Sequence, residues 1–460
     1  MEVPRGLHNV EIGPAARLRS ALRAILLGSL LAGQGSAACG DATPPLDPVP
    51  EATSPAATAT DEARAEESLR ETSKPVEATA VAESPDTVQQ TLLQSLEWQP
   101  GIIGNRVAQG MHRWWTNRIE DLNRKTGIRL SVDYNFLFQQ AWPAGDIDLG
   151  SAGEFRFTSR WNPRPGSTNN PGFLDFQVRY RHATSEIPPS ALGRQIGSLW
   201  PTTRGFNDVG VEISHFYYEQ YLVDERIGFR LGQSRIDNVF DVHALRDQRR
   251  FFLNPAFSAN PAVADPAFGL VGVLMTRPLK NLKVSFGATD ANSQQFPYSG
   301  QSGVGLDDLY YTGQIGWRPR LSAAGDTLLQ AMVWRREESR IGPEGSGFSV
   351  LAQHRWPDSA TLFLRYSHSE GATVASEFLA GGVGWQPWGR QRGHQIGVAG
   401  GWGRPMLQGL RDQYVAEIFY RIHLTSAFDL TPDVQLIIDP SLNRAEDVVA
   451  VFGVRGRVSF

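Results

Sequence analysis

Between Ser234 and Phe268 the chain sets Arg246, Asp247, Arg249 and Arg250 directly beside Phe251 and Phe252. Guanidinium groups present planar N–H donors that suit hydroxyl and carboxylate oxygens, and a neighbouring aromatic ring supplies a stacking edge. That combination can hold a hydroxyl-rich molecule reversibly. A second reading competes with it: the arginines pair with acids such as Glu154, Asp175 or Glu417 and pin the segment in place. Further polar residues recur at alternate positions, namely Asp133 with Asn135, Arg179 with Arg181, Glu417 with Arg421 and His423, and Arg455 with Arg457. Bond-breaking chemistry finds no such constellation. His215, His354, His368 and His394 stand singly, and the chain contains no GxSxG, HExxH or paired His/Cys metal spacing, so no catalytic residue, metal or cofactor is expected.

Alternation is what must position these groups. Val448 to Phe460 reads VVAVFGVRGRVSF, with Val448, Ala450, Phe452, Val454, Val458 and Phe460 on one face and Gly453, Arg455, Arg457 and Ser459 on the other. Ile128 to Gln140 and Glu154 to Trp161 follow the same period, and so does the segment Leu174 to Arg181. Further strands are expected near Val209 to Tyr221, Arg226 to Gln233, Gly269 to Arg277, Leu282 to Asp290, Asp308 to Trp317 and Asp326 to Arg336. The remainder fall near Gly347 to Trp356, Ala360 to Ser369, Glu377 to Gln386, His394 to Gly403, Gln413 to Thr425, Phe428 to Asp439 and Glu446 to Phe460. These segments have the length a tilted strand needs to cross a bilayer, and they total about sixteen, an even number. The expected fold is all-β, a transmembrane antiparallel up-and-down β-barrel over 128–460, with one closing pair between its first and last strands.

Connections and aromatics bear on the same count. Leu222 to Glu225, Pro278 to Asn281, Pro357 to Ser359 and Ser426 to Ala427 are short and fall on one side, while Ala183 to Asp208 and Ser234 to Phe268 are long and fall on the other. Trp161, Trp317, Trp356, Trp385, Trp388, Tyr414 and Tyr420 sit near strand ends or on outward faces, where membrane interfaces collect aromatics.

Composition narrows the alternatives. The chain has 460 residues, a mean hydropathy of -0.29 and a formal net charge of -4, which give no reason to expect a nucleic-acid partner. No run of 18 apolar residues occurs, so membrane-spanning helices are not expected. Residues 1–38 read as an export signal, with Arg17, Arg19 and Arg23 before the apolar stretch Ala24 to Ala32. Cys39, the only cysteine, is either incidental to the cleavage point or a lipid acceptor; Ser36 in place of the usual Leu favours the first. Residues 39–91 are rich in Pro, Ala, Thr, Ser and Glu and read as a disordered periplasmic linker, with a solvated helix over Asp61 to Arg70 as the alternative. Within 92–127, Val107, Met111, Trp114, Trp115, Ile119 and Leu122 recur at helical spacing and Gly127 marks a stop. That amphipathic helix either packs at the barrel mouth or plugs the pore.

Two stretches resemble the OprB-type carbohydrate-selective porins. The first runs from Gln413 to Arg421 (QYVAEIFYR), through Leu430 to Pro440 (LTPDVQLIIDP), to Val451-Phe452-Gly453-Val454-Arg455. The second spans Arg230-Leu231-Gly232-Gln233, Phe240-Asp241, Phe252 to Phe257 and Asn260-Pro261-Ala262. Gln233 stands where that family usually has Lys, and its Gly- and Trp-rich opening motif is absent before the first strand, which leaves substrate preference open. The resemblance implies passive, substrate-biased diffusion of mono- and small oligosaccharides through an outer-membrane barrel, monomeric or trimeric, surrounded by lipid. From the residues themselves, Arg246, Arg249, Arg250, Phe251 and Phe252 are expected to constrict the pore if their extracellular connection folds inward, and alternation places Asp133, Asn135, Arg179, Glu417, Arg421, His423 and Arg455 on its wall. A general or anion-leaning porin is the alternative; a hydrolase at the barrel rim is a distant third.

Overall fold

The computed structural model describes residues 85, 87–96, 101–103, 106–164, 170–293, 308–320, 325–357, 359–387 and 394–460, all within one compact unit, Ala78–Phe460. The export-type segment, Cys39, the Asp61 to Arg70 stretch, the side chain of Val107 and Trp388 lie outside the described residues. Two helices come first, α1 (Val88–Leu96) and α2 (Arg106–Thr126). The strands follow as β1 (Ile128–Trp142), β2 (Leu149–Trp161), β3 (Gly172–Ala183), β4 (Gly210–Leu222), β5 (Ile227–Ser234), β6 (Gly269–Leu279), β7 (Leu282–Asp290) and β8 (Leu309–Trp317). The second half comprises β9 (Asp326–Arg336), β10 (Gly345–Trp356), β11 (Ala360–Gly371), β12 (Ala375–Trp385), β13 (Gln395–Pro405), β14 (Gln413–Thr425), β15 (Phe428–Ile438) and β16 (Val448–Ser459). A short helix, α3 (Pro189–Gln195), interrupts the β3–β4 connection.

All sixteen strands pair antiparallel with their sequence neighbours, and β1 pairs with β16 to close the barrel. The closing ladder runs from Asp133 opposite Ser459 to Trp142 opposite Ala450, and Phe460 extends it by exchanging hydrogen bonds of 2.9 and 3.1 Å with Val132. Closure leaves no strand edge unpaired, which is what a bilayer interior demands. Alternation sorts the side chains: Phe452 and Val454 point outward and are exposed, while Val449, Val451, Arg455 and Arg457 point inward and are buried. No helix of the described residues is long and apolar enough to cross a membrane.

Strict alternation fails at one informative place. The β3–β4 register slips between Gln177 and Val178, so both Ser214 and His215 of β4 turn inward. The residue count alone does not show that bulge.

Trp161, Trp317, Trp356 and Trp385 are the last residues of β2, β8, β10 and β12, and each is 40–49% exposed. In an antiparallel barrel these strands end on the same rim, so the four indoles mark one plane around it. This N-terminal rim also receives α2. Asn123 O accepts the N–H of Gly127, whose φ of 75° ends the helix as a left-handed cap, and Trp161 Nε1 donates to Thr126 O at 3.1 Å.

Candidate functional site

Antiparallel register reads off which inward side chains share a level of the lumen. One level sets Asn135, Glu154 and Arg181 side by side across β1, β2 and β3. The next sets Asp133, Arg156, Arg179 and Glu212 across β1 to β4. Below it Arg160 faces Asp175, and Glu219 of β4 faces Arg230 of β5. Opposite charges meet closely: Arg156 Nε is 2.8 Å from Asp133, Arg160 is 2.8 Å from Asp175 and 2.9 Å from Glu219, and Arg181 is 2.6 Å from Glu154. One pairing departs from that rule. Arg156 and Arg179 stand directly opposite on neighbouring strands, both buried. Among the described residues Arg156 Nη1 has no hydrogen-bond partner, and Arg179 donates through Nε to Gln177, its guanidinium 5.2 Å from the Phe268 ring.

The lumen is not an empty tube, because the β5–β6 connection, 235–268, folds across it. Arg249 forks onto Glu154 of β2 at 2.5 and 2.9 Å. A quarter-turn or less round the wall, Glu417 of β14 accepts the backbone N–H groups of Leu253 and Asn254 at 2.6 and 2.9 Å, and Arg455 of β16 holds the carbonyls of Gln248 and Phe251. Asp241 meets Arg365 of β11 at 3.1 Å, and Ala244 N donates to Gln353 of β10 at 2.7 Å. The segment is thereby tied to opposite walls.

Apolar packing fills much of the space between. Leu245, Phe252 and Phe257 of this segment cluster with Leu192, Ile196 and Trp200 of the β3–β4 connection and with inward Phe363, Phe378 and Phe419 of the wall. Glycines make room for them: a Cβ on Gly403 would fall 2.8 Å from the Trp200 ring, and one on Gly384 2.8 Å from Leu245. A second cluster joins Ile236, Val239 and Phe240 to Val271, Val273 and Met275 of β6 and to Tyr310, Met332 and Trp334 of β8 and β9. Beside it lies a small recess, of about 20 Å³, lined by Asp237, Phe240, Asp241, Asp265, Tyr310 and Met332.

Charge at the base of the loop is strongly perturbed. Burial would raise Asp237, but Arg235 and Arg246 beside it hold its carboxyl well below the usual range. Asp265 moves up, because burial and the neighbouring Asp237 outweigh Arg204 and Arg235. Burial pushes His243 well down from 6.5, with Arg365 and Arg246 adding to the effect; its Nε2 is 2.7 Å from Phe257 O and its ring stacks 4.0 Å from Phe363.

Helix α1 also bears on the lumen. It lies against β1, β2 and β3, and its Thr87-Val88 and Thr91-Leu92 side, including the residue just before the helix, is buried. Inward residues of those strands, such as Ser131, Thr158 and Gln177, are buried too, whereas outward Tyr134, Phe155 and Trp161 stay exposed. The helix therefore rests on the inner face of the wall. Helix α2 takes the other position expected of an N-terminal helix, under the mouth, since Ile102 and Ile103 just before it donate to His423 O and Leu424 O of β14 while its far end meets Trp161.

Of the twelve residues singled out in the sequence, Asp133, Asn135, Arg179, Glu417, Arg421, His423 and Arg455 all face inward. Asp133 also accepts from Asn135, and His423 Nδ1 is 2.5 Å from Asp429. Arg246 pairs with Asp237 at 2.9 Å and Arg249 with Glu154, so these two hold the loop. Glu154 is thus an arginine partner as anticipated, but Asp175 pairs with the wall's own Arg160 and Glu417 grips loop backbone instead. Phe252 is not a stacking edge. It is fully buried, with Phe257 and Phe419 rings at 5.4 and 5.0 Å. Phe251 is partly buried and has two cations over its ring, Arg250 at 5.8 Å and Arg421 at 5.5 Å. Reasoning from sequence missed Arg156, Arg365 and Asp241; the alternating pattern around Arg156 was the available signal for the first.

Ser214, His215 and Asn238 come together unexpectedly, with Ser214 Oγ 3.1 Å from His215 and Asn238 2.7 Å from it. The line is fully buried and Ser214 Oγ donates to Gln177, so its oxygen is engaged in holding the bulge. Among the described residues no cluster of His, Cys, Asp and Glu could hold a metal.

A closed sixteen-strand barrel with an apolar outer face, a charged inner wall and a loop folded inward is a porin-type barrel. Residues 320–460 match the carbohydrate-selective porin, OprB family. Over 370 residues the chain is 23% identical to porin AaxA of Chlamydia abortus, covering 74% of this chain and 78% of that protein. Porin AaxA of Chlamydia felis is 20% identical over 364 residues, covering 74% and 80%. The high-pH structure of Pseudomonas putida OprB superposes with a TM-score of 0.62 at 13% identity over 75% of this chain and 97% of that one, a likeness of fold. The chain is a β-barrel resembling the OprB-family outer-membrane porins.

Proposed function

We propose that this protein is a porin through which mono- and small oligosaccharides diffuse passively, with selectivity set where the inward loop meets the β14–β16 wall. The observation that carries the reading is Phe251, partly buried with the guanidinium groups of Arg250 and Arg421 over its ring. An aromatic face flanked by planar donors suits a molecule with an apolar ring face and equatorial hydroxyls. The match of 320–460 to a carbohydrate-selective family supports the same substrate class. On this reading the N-terminal rim faces the periplasm and the loop enters from outside.

Liposome swelling tests it with a series of mono- and disaccharides against amino acids of matched size. Sugars are expected to enter faster at equal size, and F251A to remove most of that advantage while leaving ion conductance intact. Equal rates at equal size would reduce the protein to a general porin.

An anion-leaning pore is the second reading, favoured by the opposed Arg156 and Arg179. Asp133 beside Arg156 and Glu212 across from Arg179 offset part of the like-charge repulsion, and a permeating anion would lower what remains. R156Q combined with R179Q is expected to shift the reversal potential in a salt gradient toward cations.

A further inference from the structure

We propose that one flank of α2 is a membrane-docking strip that lies against the phosphodiester headgroups of the leaflet at the N-terminal rim. The helix carries five cations, Arg106, Arg113, Arg118, Arg124 and Lys125, against two carboxylates, Glu120 and Asp121. At 100° per residue, Met111, Trp114, Trp115, Arg118 and Lys125 fall on one flank. Met111 is 49% exposed and Trp114 59%, with the Trp115 ring 6.5 Å from that of Trp114. Two indoles and a thioether beside two cations form the amphipathic surface that the lipid interface selects.

The direction of the flank follows from the side of the helix that packs, which begins at Ile119, one i,i+4 step from Trp115. His112 and Ile119 are buried, and His112 lies within electrostatic reach of inward-facing His423. Glu120 interacts with Arg129, at the foot of β1 on its inward face. The side of α2 holding His112, Ile119 and Glu120 thus looks toward the barrel and its mouth, and Met111, Trp114, Arg118 and Lys125 lie on the part of the helix surface that this packing leaves uncovered.

The level of the helix is fixed as well. Trp161 Nε1 bonds to Thr126 O, and Trp161 belongs to the ring of four tryptophans that marks the membrane interface at this rim. The strip is therefore continuous with the lipid-facing surface of the barrel, at the depth where phosphates reside. Arg118 and Lys125 supply the complementary charge.

Spin labelling tests the placement in the full chain with Cys39 replaced by Ser. A nitroxide introduced through M111C is read against labels at N117C, on another exposed face of α2, and D224C, in the β4–β5 turn at the same rim. In vesicles of phosphatidylcholine with phosphatidylglycerol, the label at 111 is expected to collide with oxygen and with a nickel-chelating lipid several-fold more than the labels at 117 and 224. Soluble nickel chelate is expected to show the reverse order. R118Q and K125Q should each lower the docked-to-free ratio about fivefold in the anionic vesicles. Altered mobility in unheated gels identifies any variant that fails to close its barrel and excludes it.

A label at 111 as open to the soluble chelate as that at 224 overturns the proposal. So does shielding from both nickel reagents regardless of lipid, which would assign the flank to a second copy of the chain.

Discussion

At the scale of single residues, the arginines divide into those that hold the loop and those that line the wall. Arg249 belongs to the first kind, because its fork onto Glu154 is buried on both sides. Replacing it with Ala leaves Glu154 to Arg181 alone and is expected to cost about 2–3 kcal/mol of loop anchoring, below the full value for stripping a buried pair. Limited proteolysis within 235–268 and increased open-channel noise report the loss. E417Q retains one acceptor oxygen for the loop backbone and should loosen it less than E417A does. His243 gives the loop a pH dependence. Its folded-state pKa is depressed, so its contribution is complete above the ordinary 6.5 and is lost as pH falls toward the lowered value. Asp237 adds a second loss only in stronger acid, below the ordinary 3.8, because its carboxyl is depressed as well. Channel recordings from pH 7.5 down to 5 should show growing loop flicker, and H243Q should flatten that dependence.

At the scale of elements, the strands were legible because a membrane barrel writes period 2 into every one of them. Leu282–Asp290, Asp326–Arg336 and Gln413–Thr425 lie where alternation places them, to the residue. The bulge at Ser214 was not legible, since an extra inward residue costs nothing in a stretch of mixed polarity. Nor was the apolar packing of the lumen. Phe363, Phe378 and Phe419 sit on strands whose outward neighbours are also apolar, so they blur the alternation instead of declaring a core. Helix α1 overlaps the end of the stretch read as linker, and its short, uncharged sequence gave no warning of a lumenal position. Deleting 85–96 is expected to raise single-channel conductance while the barrel stays folded. Unchanged conductance would mean that α1 does not narrow the path.

For the whole molecule, distance along the chain explains what the sequence could not reveal about the site. Arg249 and Glu154 are 95 positions apart, and Leu253 and Glu417 are 164 apart. Composition made those pairings conceivable, but only the register selects among the acids. The same register makes loop and wall one cooperative body, with inward aromatics of β11, β12 and β14 packed on the loop. Removing the loop should therefore unfold more than it opens. A chain lacking 240–262 is expected to lose heat resistance in unheated gels as well as selectivity.

The seam between β1 and β16 sets the order in which this barrel can be made. Its ladder joins Asp133 to Ser459, so the first strand has to wait for nearly the entire remaining chain before its free side is satisfied. Until then both borders present unpaired backbone, the state most open to sticking and to proteolysis. The hydrogen bonds between Val132 and Phe460 come at the very foot of that seam. A chain whose final strand is delayed or shortened should accumulate as an open sheet vulnerable to quality control, however sound its other fifteen strands are.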